Sequence, residues 1–251
     1  MHRSLASLRP LVFAHRGGSK IGPENTIAAF DRGLAAGADG LELDVHLSRD
    51  GIVVVHHDRL LDRTTRARGE IGSRTAADLA ELDVPTLREV LERYPTARVI
   101  IEMKEARTVL ARAVVEDVRR ARAGDRVCLG SFSARALRAA RKAGPEIATS
   151  AGRFEVRIAL YRSWVHLSPG RVPYQLFQVP ETSGGTRVVS PGFVALAHRA
   201  GLAVQVWTVD EPDDIRRLLD WGVDGIISDR PDVAVEVVRD WAAGRLSTCD
   251  C

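Results

Sequence analysis

The sequence predicts a single-domain α/β protein on a parallel sheet, with an eight-stranded TIM-type (β/α)8 barrel as the economical form. The chain has 251 residues, about the size of one such barrel. Short runs rich in Val, Ile and Leu lack strict polar alternation, as strands covered on both faces do. These runs alternate with helix-like stretches along the whole chain, the pattern of parallel strand–helix units in a closed or an open sheet.

Strands are expected at residues 11–14, 40–45, 52–56, 98–103, 126–130, 147–150, 175–179, 203–208 and 225–228. Helices are expected at 26–36, 87–93, 108–123, 134–143, 191–200 and 213–221. Ile27, Phe30 and Leu34 give the first helix its apolar stripe. Five of the six helices are followed by Gly37, Gly124, Gly144, Gly201 or Gly222, and Pro95 follows the other. Nine strands are one too many for the barrel. The link from Val45 to Gly51 is too short for a parallel crossover, and Asp50-Gly51 is a hairpin turn signal. One strand is therefore an antiparallel insertion, or not a strand. Residues 153–171 mix basic and apolar side chains and form the least regular stretch.

Apolar residues make up 45% of the chain and charged residues 27%, the balance of a soluble globular protein. The net charge is only +3, although the pI is about 9.0. Basic residues are dispersed, without the stripe or interleaved aromatics of a nucleic-acid surface, and read as solvated helix faces. Lysine occurs only at positions 20, 104 and 142, which singles out Lys104 inside an apolar run. Cys128, Cys249 and Cys251 do not make a disulfide framework. No secretory leader is evident in residues 1–11, and no run approaches the ~20 apolar residues of a membrane span. The expectation is a soluble, cytoplasmic protein.

Chemistry-bearing residues fall at the ends of the expected strands. His15-Arg16-Gly17-Gly18 closes the first, offering a proton-transfer group and a forked cation suited to phosphate. Pro23-Glu24-Asn25-Thr26 reads as a helix start with Asn25 as N-cap. Glu42 and Asp44 stand two apart on a strand, so both carboxylates share a face. Paired acids in an apolar strand need a positive partner, for which a divalent cation and a salt-bridging arginine are the alternatives. His56-His57-Asp58 ends another strand, and by chemistry alone either histidine could pair with His15 in acid–base work. Glu102 and Lys104 repeat the same-face pattern, as a third carboxylate with a phosphate-binding cation or as a buried ion pair. Trp207 ends a late strand, where it would stack on a substrate or pack the rim.

Together these motifs resemble the glycerophosphodiester phosphodiesterase (GDPD) family. The resemblance runs from His15 to about Pro231. It includes His15-Arg16-Gly17, Pro23-Glu24-Asn25-Thr26, Glu42-Leu43-Asp44-Val45, His57-Asp58, Arg63-Thr64-Thr65, Pro85-Thr86-Leu87, Glu102-Met103-Lys104, Ser131-Phe132, Trp207-Thr208-Val209 and Gly225-Ile226-Ile227-Ser228-Asp229. It implies one domain over residues 1–251, with a motif-bearing core at about 11–238, folded as a TIM barrel of the phospholipase C-like phosphodiesterase type. It implies hydrolysis of glycerophosphodiesters to glycerol 3-phosphate and an alcohol. The same resemblance implies one Mg²⁺ or Ca²⁺ held by Glu42, Asp44 and Glu102, with His15 and His57 as the acid–base pair. Arg16 and Lys104 would bind phosphate and Trp207 line the alcohol pocket, while His56 receives no role. One departure is a short segment between Leu82 and Pro85, which bears on substrate size.

Three rival expectations remain. A lysophospholipase D would need an apolar groove for an acyl chain, which residues 153–167 could supply beside a membrane surface, or they could simply cover the barrel mouth. A barrel that binds phosphodiesters without cleaving them is opposed by the complete set of acids and histidines. Nucleic-acid binding is the weakest of the three.

Overall fold

The computed structural model describes residues 9–165, 167–168 and 170–247; Cys249 and Cys251 lie outside these. The chain runs β1 (Leu11–His15), α1 (Ile27–Ala35), β2 (Gly40–Leu47), β3 (Val53–Val55), α2 (Ala76–Ala80) and α3 (Leu87–Arg93). Then come β4 (Arg98–Met103), α4 (Thr108–Arg120), β5 (Val127–Gly130), α5 (Ala134–Ala143), β6 (Ala148–Thr149), α6 (Arg153–Trp164) and β7 (Leu176–Pro180). The chain finishes with β8 (Thr182–Ser183), β9 (Thr186–Arg187), α7 (Pro191–Arg199), β10 (Ala203–Trp207), α8 (Pro212–Asp220), β11 (Gly225–Ser228) and α9 (Pro231–Ser247).

Eight strands lie parallel in the order β6-β5-β4-β2-β1-β11-β10-β7. A parallel bridge between Ser150 and Leu176, with Gln175 N–H donating to Thr149 O, brings the two outer strands together and makes the sheet a barrel. The ninth sequence-predicted strand is β3, paired antiparallel to β2 through Val45–Val55 and Leu47–Val53, so the surplus strand is a hairpin arm. Gly51, at φ +80°, makes its turn.

Side chains alternate between two environments along each strand. Outward residues such as Val12, Leu41, Leu43, Val99, Ile101, Val204 and Ile226 pack under the helices in two large clusters that divide the ring. Inward residues at one end are apolar: Leu11, Phe13, Ile100 and Ile227. One pleat further on, the same inward rows carry His15, Glu42, Asp44 and Glu102, in register with one another as His15–Glu42 and Asp44–Glu102. The strands read as largely apolar runs because both faces are buried, and the acids and His15 gather on the inner face at the C-terminal mouth.

Elements absent from the sequence expectations are α2, the β8–β9 hairpin and α9. The irregular stretch around 153–171 opens as a regular helix, α6. Asn25 is not the N-cap of α1. Thr26 is, accepting from Ala29 N–H at 3.2 Å, because Asn25 sits one residue earlier in the left-handed region (φ +58°).

Candidate active site

Each candidate side chain is carried to the mouth by a local device. After β1 the backbone turns left-handed at Arg16 (φ +53°) and Gly17 (φ +85°), closed by Gly17 N–H to Ala14 O and Gly18 N–H to His15 O. A Cβ at Gly17 would stand 2.8 Å from the Ala29 backbone, so only glycine lets this turn lie against α1. His15 is thereby held over the pore with Nδ1 2.6 Å from Asp229 Oδ1 and Nε2 3.7 Å from Glu42 Oε2. Burial works against the charged ring, yet Glu42 and Asp229 together raise its pKa above the ordinary value. Asp229 is fixed in turn, since Asp210 accepts from its N–H and from Ser228 Oγ.

His57 follows β3. Its Nδ1 lies 2.6 Å from Asp58 Oδ1, and Asp58 also receives Arg63 Nε at 2.6 Å. Here burial dominates and lowers the pKa, despite the pull of Asp44 and Asp58. The turn carrying His57 is pinned by its neighbours: His46 Nε2 donates to His57 O, and His56 donates from Nδ1 to Asp58 O. His56 is buried with its other nitrogen on Thr64, away from the mouth, which is a structural role.

Glu42 and Asp44 are buried at the rim, and Glu102 is half-buried beside them. Burial, then repulsion from Asp44, pushes Glu42 up to about 7. Burial also pushes Glu102 up to about 8, outweighing Lys104. Asp44 goes the other way, because Lys104 and His57 overcome its burial. Lys104 Nζ is 2.7 Å from Asp44 Oδ1, and Asn25 Nδ2 donates to Asp44 Oδ2 at 3.0 Å. The alternative pair, Lys104 with Glu102, is thus replaced by Lys104 with Asp44 on the neighbouring strand. Gly130 leaves room for Glu102: a Cβ there would meet Glu102 Oε2 at 2.7 Å. Arg16 reaches Glu24 through Nη1 (3.1 Å), while its Nε is buried without a hydrogen-bond acceptor, 3.3 Å from Asp44 Oδ2.

These residues line one cavity of about 700 Å³. Trp207 forms part of its wall, edge-on to Phe132 with ring centroids 6.0 Å apart. All eight sequence-predicted site residues therefore meet in one place. Asp229, Asp58, Glu24, Arg63 and Asn25 support them. Each lies in a quoted motif, but none was singled out for this, because its service depends on partners up to 214 positions away.

The fold and the mouth define a class: an α/β-barrel enzyme with two carboxylate-held histidines and a rim of three carboxylates and two cations. Comparison with known proteins makes the class particular. The profile of the Glycerophosphoryl diester phosphodiesterase family matches residues 15–233. A glycerophosphodiester phosphodiesterase of Caldanaerobacter subterraneus subsp. tengcongensis is 32% identical over 250 residues, covering 92% of this chain and 99% of that protein. One from Bacillus altitudinis is 31% identical, covering 90% and 97%. Among solved structures, an Oleispira antarctica phosphodiesterase in complex with the product sn-glycerol-3-phosphate superposes with a TM-score of 0.76 at 26% identity, covering 94% and 99%. The glycerophosphodiester phosphodiesterase of Agrobacterium tumefaciens gives 0.75 at 28%, covering 91% and 98%. The chain belongs to the glycerophosphoryl diester phosphodiesterase family and is an enzyme of it.

Proposed function

We propose that this enzyme hydrolyses glycerophosphodiesters to glycerol 3-phosphate and an alcohol, with His15 as general acid and His57 as general base. The observation that carries the assignment is the opposite poise of two histidines with the same kind of support. Each commits Nδ1 to a carboxylate 2.6 Å away, leaving Nε2 for the substrate. The raised pKa of His15 biases that ring toward the protonated form relative to an ordinary histidine, and the lowered pKa of His57 biases that ring toward the neutral form. The product bound in the Oleispira phosphodiesterase supports the substrate class.

Arg16 and Lys104 bind the phosphate oxygens. The buried Nε of Arg16, still without an acceptor, is a donor suited to an anion. His57 accepts the proton of the attacking hydroxyl as the new O–P bond forms. His15 gives its proton to the oxygen of the alcohol as the old P–O bond breaks. The attacking hydroxyl belongs to water, or to the adjacent glycerol carbon, in which case a cyclic phosphate forms first and water then opens it.

A Mg²⁺ or Ca²⁺ fits Glu42, Asp44 and Glu102 by the chemistry of the donors: burial pushes Glu42 up to about 7 and Glu102 up to about 8, and a cation would favour their ionised, oxygen-donating forms. Among the described residues no three such groups form a ready-made metal shell. Lys104 Nζ and Asn25 Nδ2 each hold an oxygen of Asp44. When bound, the ion supplies positive charge that offsets charge developing on the phosphate.

The test is release of glycerol 3-phosphate from glycerophosphocholine by the purified enzyme, with Mg²⁺ or Ca²⁺ and again with excess chelator. Release that the chelator abolishes supports the assignment, and full turnover by His15→Ala or His57→Ala would overturn it. A second reading, lysophospholipase D action, is favoured by the apolar arm of the cavity at Phe154, Leu160, Tyr161 and Trp164. Faster turnover of lysophosphatidylcholine than of glycerophosphocholine would select it.

A further inference from the structure

Helix α6 carries two apolar faces. Ala159, Leu160 and Ser163 are buried against the barrel, with Val156 packed beside them. Phe154, Ile158, Tyr161 and Val165 follow at helical spacing on the solvent side, each between 40% and 62% exposed. Trp164 and Leu167 extend this stripe, at 60% and 55% exposed. Large apolar side chains so concentrated on an open surface mark a place where something docks.

The charge around the stripe is one-sided. Arg153, Arg157 and Arg162 stand exposed along the helix. Arg153 lies over the Phe132 ring (5.8 Å) and Arg157 over the Phe154 ring (5.4 Å). The helix's single acid, Glu155, is taken by Arg141 at 2.7 Å. The stripe also continues into the catalytic mouth, because Phe154, Tyr161 and Trp164 line the same cavity as His15 and Lys104.

We propose that α6 and the turn after it seat this enzyme on the surface of an anionic lipid bilayer, with the mouth of the cavity at the headgroup layer. Arginines complement anionic headgroups, and Trp and Tyr suit the boundary between headgroups and acyl chains. A second copy packed by two-fold symmetry would bring two such three-arginine faces into one interface, like charge near like. A protein partner on this face would cover the mouth, whereas a bilayer would present amphiphilic phosphodiesters to it. No helix among the described residues is long and apolar enough to cross a membrane, so the attachment is peripheral. The docking rests on the phosphodiesterase reading only for what the seated mouth would do.

The test is co-sedimentation of the full chain with vesicles of phosphatidylglycerol and phosphatidylcholine, and with phosphatidylcholine alone. Two variants change exposed residues that do not line the cavity: Ile158→Ser with Val165→Ser, and Arg162→Glu. The expected result is binding to the anionic vesicles that weakens with salt and in Arg162→Glu. It weakens at least about tenfold in the double variant, since burying one aliphatic side chain contributes on that order. Release of glycerol 3-phosphate from soluble glycerophosphocholine stays unchanged in both variants. Intact soluble turnover without vesicle binding overturns the proposal, as does vesicle binding equal in wild type and variants. Self-association that the double variant abolishes, with no vesicle binding, assigns the face to a second copy and overturns it as well. Absence of soluble turnover in the wild type would instead sink the glycerophosphocholine substrate reading, and vesicle binding would still be read on its own.

Discussion

His15 and His57 each hold a carboxylate oxygen at 2.6 Å, yet burial and the remaining neighbours drive their proton affinities apart. The consequence is a bell-shaped dependence of kcat/KM on pH. Activity falls as pH drops through the lowered pKa of His57, which must be neutral to accept a proton. It falls again as pH rises through the raised pKa of His15, which must be charged to give one. Asp229→Asn removes a carboxylate that raises His15, so the alkaline limb shifts to lower pH while the acidic limb stays. Turnover at pH 8 then falls at least about tenfold. An unmoved alkaline limb would take the acid role away from His15. Gly130→Ala places a methyl where Glu102 now sits, with a 2.7 Å contact to Oε2. Calorimetric titration is expected to show divalent-cation affinity down about tenfold or more, with the metal-free melting temperature little changed.

At the scale of elements, the site depends on short polar joints rather than on long helices. The β2–β3 hairpin places His57 at the edge of the ring, and His46 and His56, buried on either side, fix the turn through backbone carbonyls. Helices α1, α2, α3, α5 and α7 are capped at their starts by a Thr or Ser side chain. Thr86 caps α3 by accepting from Glu89 N–H at 3.1 Å, so Thr86→Ala is expected to lower stability by about 1 kcal/mol in urea denaturation. Residues 82–86 do not line the cavity, so turnover should be untouched by that change.

At the scale of the whole molecule, stability resides in the outward layer and chemistry in the inward one. Leu43 lies on β2 between Glu42 and Asp44, faces out and is fully buried. Leu43→Ala is expected to cost about 2–5 kcal/mol, measured by the midpoint of chemical denaturation. The outward and inward rows alternate along one strand, so a single segment serves both layers.

Much of this was legible in the sequence. The βα alternation, the surplus strand at Asp50-Gly51 and the same-face acids Glu42 and Asp44 follow from local periods of two and 3.6 and from turn chemistry, which neighbouring residues determine. The eight candidate site residues were picked out because they lie on or just past strand runs, and their expected roles came from the family resemblance. Tertiary structure alone decided that Asp44 rather than Glu102 takes Lys104 and that Asp229 holds His15, whereas the choice of His57 over His56 came from the family resemblance. Tertiary structure also decided that Asn25 serves Asp44 and not the helix start. Those outcomes depend on which side chains ring closure brings within about 3 Å, the reach of a hydrogen bond, and on how burial weighs each charge. Neither distance nor burial is a property of neighbouring residues in a chain.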